Sequence, residues 1–272
     1  MSLLSRDHAH VSTERPAGSD AGHVTPFLES RPDGLADRLG VRWRDRSPIT
    51  ATSVVAVTGL IVMAVVMVGL GLLLVHVLLN GGLGRWDVSV NEWFVTQRTT
   101  TLNAVTRWGS DLGATTTIVG IALVSVVALG IARRWDAVRF LLISLVIEVS
   151  AFLISTVFVD RARPDVPRLD VSPPTSSYPS GHTAAAIVLY VGLALIVSSL
   201  TRNAFLRALV WILAIALPIV VALSRLYRGM HHPTDVMASV ILAAGALLFG
   251  LLAVRTGSAV AEHRRPDTAR AR

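Results

Sequence analysis

The sequence predicts an all-α, polytopic membrane protein, a bundle of six transmembrane helices, and three observations lead there. Apolar residues fill 52% of the 272 positions and the mean hydropathy is +0.59, too hydrophobic for an ordinary soluble domain of this length. Several apolar runs approach or exceed the ~20 residues that cross ~30 Å of hydrocarbon as helix. Charged residues, only 16% of the chain, gather in the gaps between those runs, whereas a large soluble core would break the runs with polar helix faces.

Taken in order, residues 1–50 are polar, rich in Arg, Asp, Pro and Gly, and show no sustained apolar period. They are expected to form a solvent-exposed, largely disordered cytoplasmic tail. The first apolar run begins only near Ala51 and outruns a signal-peptide core, which argues against a cleaved leader. Six spans are expected at about 51–79, 115–132, 138–159, 183–200, 205–223 and 236–254, so that residues 51–254 form one membrane domain. Between the first two spans, Trp86, Trp93 and Trp108 punctuate a polar stretch. Their half-wet rings suit the headgroup level, which predicts a surface helix there. Residues 255–272 read as a basic cytoplasmic tail.

The formal net charge of +7 invites a nucleic-acid reading, but the basic residues form no single stripe with interleaved aromatics. All 25 are arginine, and they sit at the ends of the apolar runs. With six spans and the N-terminus inside, thirteen arginines flank the inner ends and eight the outer loops. That bias places both termini in the cytoplasm. Cysteine is absent, so there is neither a disulfide framework nor a thiolate site.

Three polar segments crowd the ends of the apolar runs: D-R-A-R-P at 160–164, Y-P-S-G-H-T at 178–183 and S-R-L-Y-R-G-M-H-H-P-T-D at 224–235. Counting spans puts all three on one membrane face, where they can share a pocket. Arg163 and Arg225 offer planar, permanently charged forks suited to phosphate oxygens. Ser180 and Gly181 stand just before a helix, where backbone N–H groups can meet an anion and glycine lets the backbone come close. His182 and His231 supply two imidazoles able to act near neutral pH. Asp235, four residues after His231, would share its helical face and could orient the ring. Arginines beside the histidines disfavour a bound metal. Glu148, inside the third run, either pairs with an arginine, binds a substrate group or is a structural carboxyl.

On these residues the chain resembles the type 2 phosphatidic acid phosphatase superfamily, whose signature is K-x6-R-P, then P-S-G-H, then S-R-x5-H-x3-D. The second motif is Pro179-Ser180-Gly181-His182, and the third is Ser224-Arg225 with His231 and Asp235 at the required spacing. The first motif keeps Arg163-Pro164 but has Thr156 where the lysine belongs, which leaves Arg161 as the candidate to supply that charge to phosphate. The resemblance implies a bundle of the kind shared with haloperoxidases, although those are soluble. It implies a lipid phosphate or diphosphate substrate: phosphatidic acid, phosphatidylglycerol phosphate or a polyprenyl diphosphate. By the same resemblance, His231 is the nucleophile that forms a phosphohistidine, held by Asp235. His182 is the acid, while Arg163, Arg225, Ser180 and Gly181 cradle phosphate, and no cofactor is required. A lipid phosphotransferase, or an inactive lipid-binding or transport protein, remains the alternative. The expected location is a bacterial plasma membrane, with the site extracytoplasmic.

Overall fold

A computed structural model of the chain describes residues 25–171 and 174–264, and the described residues form nine α-helices and two short 3-10 turns, with no strand among them. The helices are α1 (Leu35–Arg42), α2 (Pro48–His76), α3 (Gly82–Thr96), α4 (Thr100–Asp111) and α5 (Thr115–Ile131). They continue with α6 (Trp135–Phe158), α7 (Gly181–Leu200), α8 (Ala204–Tyr227) and α9 (Pro233–His263). Every expected span is helical. Five of them, α2 and α6 to α9, are long and apolar enough to cross a membrane alone. The 17-residue α5 qualifies only together with α4, from which it bends by 43°. The Trp-rich stretch holds two helices, α3 and α4, rather than the one expected.

Local chemistry sets several of the starts. The Ser47 hydroxyl accepts from the Thr50 N–H at 3.0 Å and Pro48 follows it, a pairing that suits the first turn of α2. Asn203 caps α8 in the same way through the Leu206 N–H. Outward faces stay apolar: Ile61, Val65, Val124 and Ile212 are each more than half exposed, as lipid-facing helices require.

Lipid gives apolar side chains no hydrophobic reason to associate, so the helices rely on close approach. Along α9, Gly245 lies under Met63 and Gly257 under Thr52 of α2, and Gly250 lies under Ser144 of α6. The main core joins α2, α6, α7 and α9 through residues such as Met67, Ile147, Val188 and Leu242. A second core joins α5 to α8 through Ile118, Leu141, Leu189 and Val221.

The expected disordered tail is corrected over 25–47. Leu28 is fully buried against Ala137, Phe140 and Val254. The Thr25 N–H donates to Asp136 Oδ2 at 2.6 Å, and Arg255 donates to the Phe27 carbonyl. Gly40 of α1 packs beneath Ala259, and His263 meets Asp37 at 2.9 Å. An apolar Phe-Leu pair and one buried carboxylate are enough to fold a segment whose average composition is polar. For the same reason α9 continues nine residues beyond the expected end at Val254. Residues 1–24 and 265–272, the rest of the two expected tails, lie outside the described residues.

Candidate active site

The ends of α6 and α8 and the starts of α5, α7 and α9 meet at one end of the bundle, opposite the end strapped by residues 25–47. Between α5, α6 and α7 lies a cavity of about 380 Å³. Its polar rim carries Arg163, Gly181, His182, Arg225 and His231, five of the eight residues expected in the site.

His231 sits in the short loop between α8 and α9 and is 4% exposed. Gly229 makes the loop possible: its φ of +71° is left-handed, and a Cβ there would stand 2.9 Å from Val166. His231 Nδ1 lies 2.7 Å from the Ser177 carbonyl oxygen. A carbonyl only accepts, so Nδ1 carries the hydrogen and Nε2 keeps its lone pair. Burial, followed by the charges of Arg225 and Arg163, holds the imidazole well below its ordinary pKa of 6.5. A neutral ring with a free Nε2 is the form able to attack an electrophile.

Asp235 does not orient that ring, contrary to expectation. Its Oδ2 is 3.9 Å from His231 Nδ1, beyond hydrogen-bond reach, and accepts instead from the His232 N–H at 2.8 Å. Its Oδ1 is held by Arg161. Arg161 in turn meets Asp87 of α3 at 2.6 Å, while the Thr234 hydroxyl accepts from Arg161 and donates to Asp87. Arg161 is 5% exposed and lies outside the cavity rim, so the expected phosphate contact is corrected to a buried ion-pair network. Two carboxylates neutralise the guanidinium where it stands. Ser180 is likewise corrected: fully buried, it bonds the Thr183 hydroxyl at 3.0 Å and is absent from the cavity wall. The Thr156 hydroxyl returns to the Leu153 carbonyl of its own helix.

The arginines are held with donors to spare. Arg225 gives Nη1 to the Ser110 hydroxyl at 2.8 Å and to Asp170 at 3.2 Å, and Arg163 gives Nη1 to the Met230 carbonyl at 2.8 Å. In both, Nε–H is buried without a partner among the described residues. A buried guanidinium donor left unmade is costly, and an anion is its natural acceptor. At the start of α7, Ser180 makes no side-chain cap, so the first N–H groups are not satisfied in that way. A Cβ on Gly181 would meet the Phe152 ring at 3.0 Å, so the close approach requires glycine.

Sequence reasoning missed the supports. Ser110, Asp170, Ser177 and Asp87 all contact a motif residue from elsewhere in the chain. Arg228 is 4% exposed and grips Asp170 through Nε and Nη2 at 2.7 and 2.5 Å. Burial pushes the Asp170 carboxyl up, but the Arg228 hydrogen bond and the charges of Arg228, Arg225 and Arg107 outweigh it and hold it below the usual carboxylate range. Among the described residues no three His, Asp or Glu side chains are grouped to hold a metal ion.

The profile of the PAP2 superfamily matches residues 137–258. Phosphatidylglycerophosphatase B of Bacillus subtilis (strain 168) is 30% identical over 172 residues, covering 61% of this chain and 81% of that protein. The crystal structure of a transmembrane PAP2-type phosphatidylglycerolphosphate phosphatase from Bacillus subtilis superposes with a TM-score of 0.57 at 24% identity, covering 76% of this chain and 94% of that one. The likeness extends to the multi-pass helical fold.

Proposed function

The chain belongs to the PAP2 superfamily, and on that premise we propose that it is an integral-membrane phosphatase that hydrolyses a lipid phosphate or diphosphate through a phosphohistidine. One observation carries the reading: two buried arginines, each with an unpartnered Nε–H, line the same cavity as a neutral, lone-pair-bearing His231 and a second imidazole, His182. Anion receptor, nucleophile and acid are thus gathered within one wall.

In the proposed reaction, His231 Nε2 attacks phosphorus in line and the bond to the leaving oxygen breaks. His182 gives that oxygen its proton. Water then attacks the phosphohistidine, helped by His182, and releases inorganic phosphate. Arg163, Arg225 and the Gly181 N–H stabilise the charge on the equatorial oxygens, where preorganised donors act most strongly. The Ser177 carbonyl, in place of Asp235, holds the ring. Asp235 acts indirectly, by anchoring the start of α9.

The walls support a lipid as substrate. Val119 of α5 and Leu142, Val146 and Val149 of α6 line the cavity and are 44–58% exposed on the outer surface. The cavity therefore opens sideways between α5 and α6, toward what would be hydrocarbon, while its arginines lie at the rim. We place the site on the extracytoplasmic face of a bacterial plasma membrane, with both termini cytoplasmic, on the arginine bias of the loops.

Phosphate release by the purified full-length protein in detergent, with and without EDTA, across phosphatidic acid, phosphatidylglycerol phosphate and a polyprenyl diphosphate, tests the reading. Activity should survive EDTA and vanish in His231→Ala. Turnover by His231→Ala would refute the nucleophile, and transfer of phosphate to an added alcohol in preference to water would make the enzyme a phosphotransferase.

A further inference from the structure

Glu148 is a group the proposed reaction does not use. It lies in the middle of α6, is 3% exposed, lines the cavity, and makes no hydrogen bond or ion pair among the described residues. Its neighbours on the wall are apolar: Leu145, Val149, Phe152 and Ile118. Charge or polarity in such a wall is costly unless something bonds it. No side chain among the described residues does so, while the cavity in front of it is open.

The depth of the carboxyl says what would bond it. The Phe152 ring stands beside Gly181, at the level of the phosphate cradle. Glu148 is one helical turn further from the rim, about 6 Å deeper at 1.5 Å per residue. In phosphatidic acid, phosphorus and the nearer ester carbonyl are separated by about five bonds of roughly 1.5 Å, a span of about 6 Å. The first polar group below the phosphate of such a lipid is therefore the glycerol ester, and it arrives level with Glu148. In a polyprenyl or simple alkyl phosphate that depth holds only hydrocarbon.

We infer that Glu148 is a specificity-determining residue that hydrogen-bonds the glycerol-ester region of the substrate and so selects phosphatidic acid, and lipids with the same phosphorus-to-ester spacing, over polyprenyl and alkyl phosphates. The inference rests on the phosphatase reading above and narrows its substrate class. A carboxyl suits the task, since with its proton it donates to an ester carbonyl. A site built around a polar contact rejects the analogue that lacks the partner, because the group is left buried and unmade.

The test compares kcat/KM for dioleoyl phosphatidic acid and for an ester-free alkyl monophosphate in mixed micelles, using the wild type, Glu148→Leu and Glu148→Gln. The wild type should favour the ester lipid. Glu148→Leu should lose about tenfold or more on the ester lipid, the worth of one buried hydrogen bond, and keep or gain activity on the alkyl phosphate. Glu148→Gln, which retains a donor and an acceptor, should stay close to the wild type. Equal losses on both substrates would make Glu148 structural and overturn the inference, as would an unchanged Glu148→Leu. If Glu148→Leu fails to fold, the wild-type ratio decides: no preference for the ester lipid overturns the inference. A wild type active only on a polyprenyl diphosphate would also overturn the inference, whereas a wild type inactive on both substrates and on every lipid of the panel above would instead sink the phosphatase reading itself.

Discussion

Replacing Arg161 by alanine separates two meanings of one arginine. If Arg161 stood in for the missing lysine, its loss would weaken phosphate binding in a protein of normal stability. The structure places it between Asp87 and Asp235, with side chains 5%, 2% and 0% exposed. Arg161→Ala therefore leaves two buried carboxylates without their cation. Breaking a buried ion pair by removing one partner costs about 3–5 kcal/mol. At about 2–4 °C per kcal/mol for a chain of this size, the melting temperature should fall by roughly 6–20 °C. Unfolding in detergent by tryptophan fluorescence measures this, with phosphate release measured beside it at a temperature where the variant is folded. The double variant Arg161→Ala/Asp87→Asn should recover part of the loss, because one of the stranded charges is gone. A variant with wild-type melting temperature and a sharply raised KM would refute the reasoning and return Arg161 to the phosphate.

Three further outcomes are expected. In the proposed reaction His231 must be neutral to attack, and its surroundings hold its pKa well below 6.5; the ring should therefore stay neutral as pH falls through 6.5, and the imidazolium signal of 15N-labelled histidine should appear only at lower pH. Arg225→Gln should lower kcat/KM by about 10²–10³ as a transition-state donor is lost; with that cation gone, the His231 titration should move up toward 6.5, and no movement would contradict the proximity described. Gly229→Ala should cost about 1–2 kcal/mol for the left-handed residue, seen as a lower melting temperature, with additional loss from crowding against Val166.

The membrane fold was legible because hydropathy is local: the runs that became α2 and α5 to α9 announce themselves without reference to any partner. Five cavity residues were legible through their motifs, since Arg163, Gly181, His182, Arg225 and His231 sit at helix ends that span counting alone brings together. Asp87, Ser110 and Asp170 were not, because an ordinary polar residue acquires its role only when a distant helix delivers it to an arginine. Arg161 was misplaced for a related reason. Two residues from Arg163 in irregular chain, it points to the other side of the start of α9, and spacing along a non-helical segment fixes no direction. Asp235 shows the limit of periodicity: His231 lies in the loop before α9, not on its face, and although the groups come to 3.9 Å, stronger donors, Arg161 and the His232 N–H, claimed both of the Asp235 oxygens. Phe27 and Leu28 were lost in a polar average, although burying them is what folds the segment.

A reaction chamber with arginines at its mouth and a gap between α5 and α6 along its flank has two doors leading to two solvents. Inorganic phosphate, once freed, can depart only into water, whereas the lipid product that has lost it can slide out only into the bilayer. The two products then dilute into separate phases and seldom meet again at the site, so the back reaction is starved of one partner or the other by partitioning. Inhibition by phosphate should accordingly follow its bulk concentration, and inhibition by the lipid alcohol its mole fraction in the micelle.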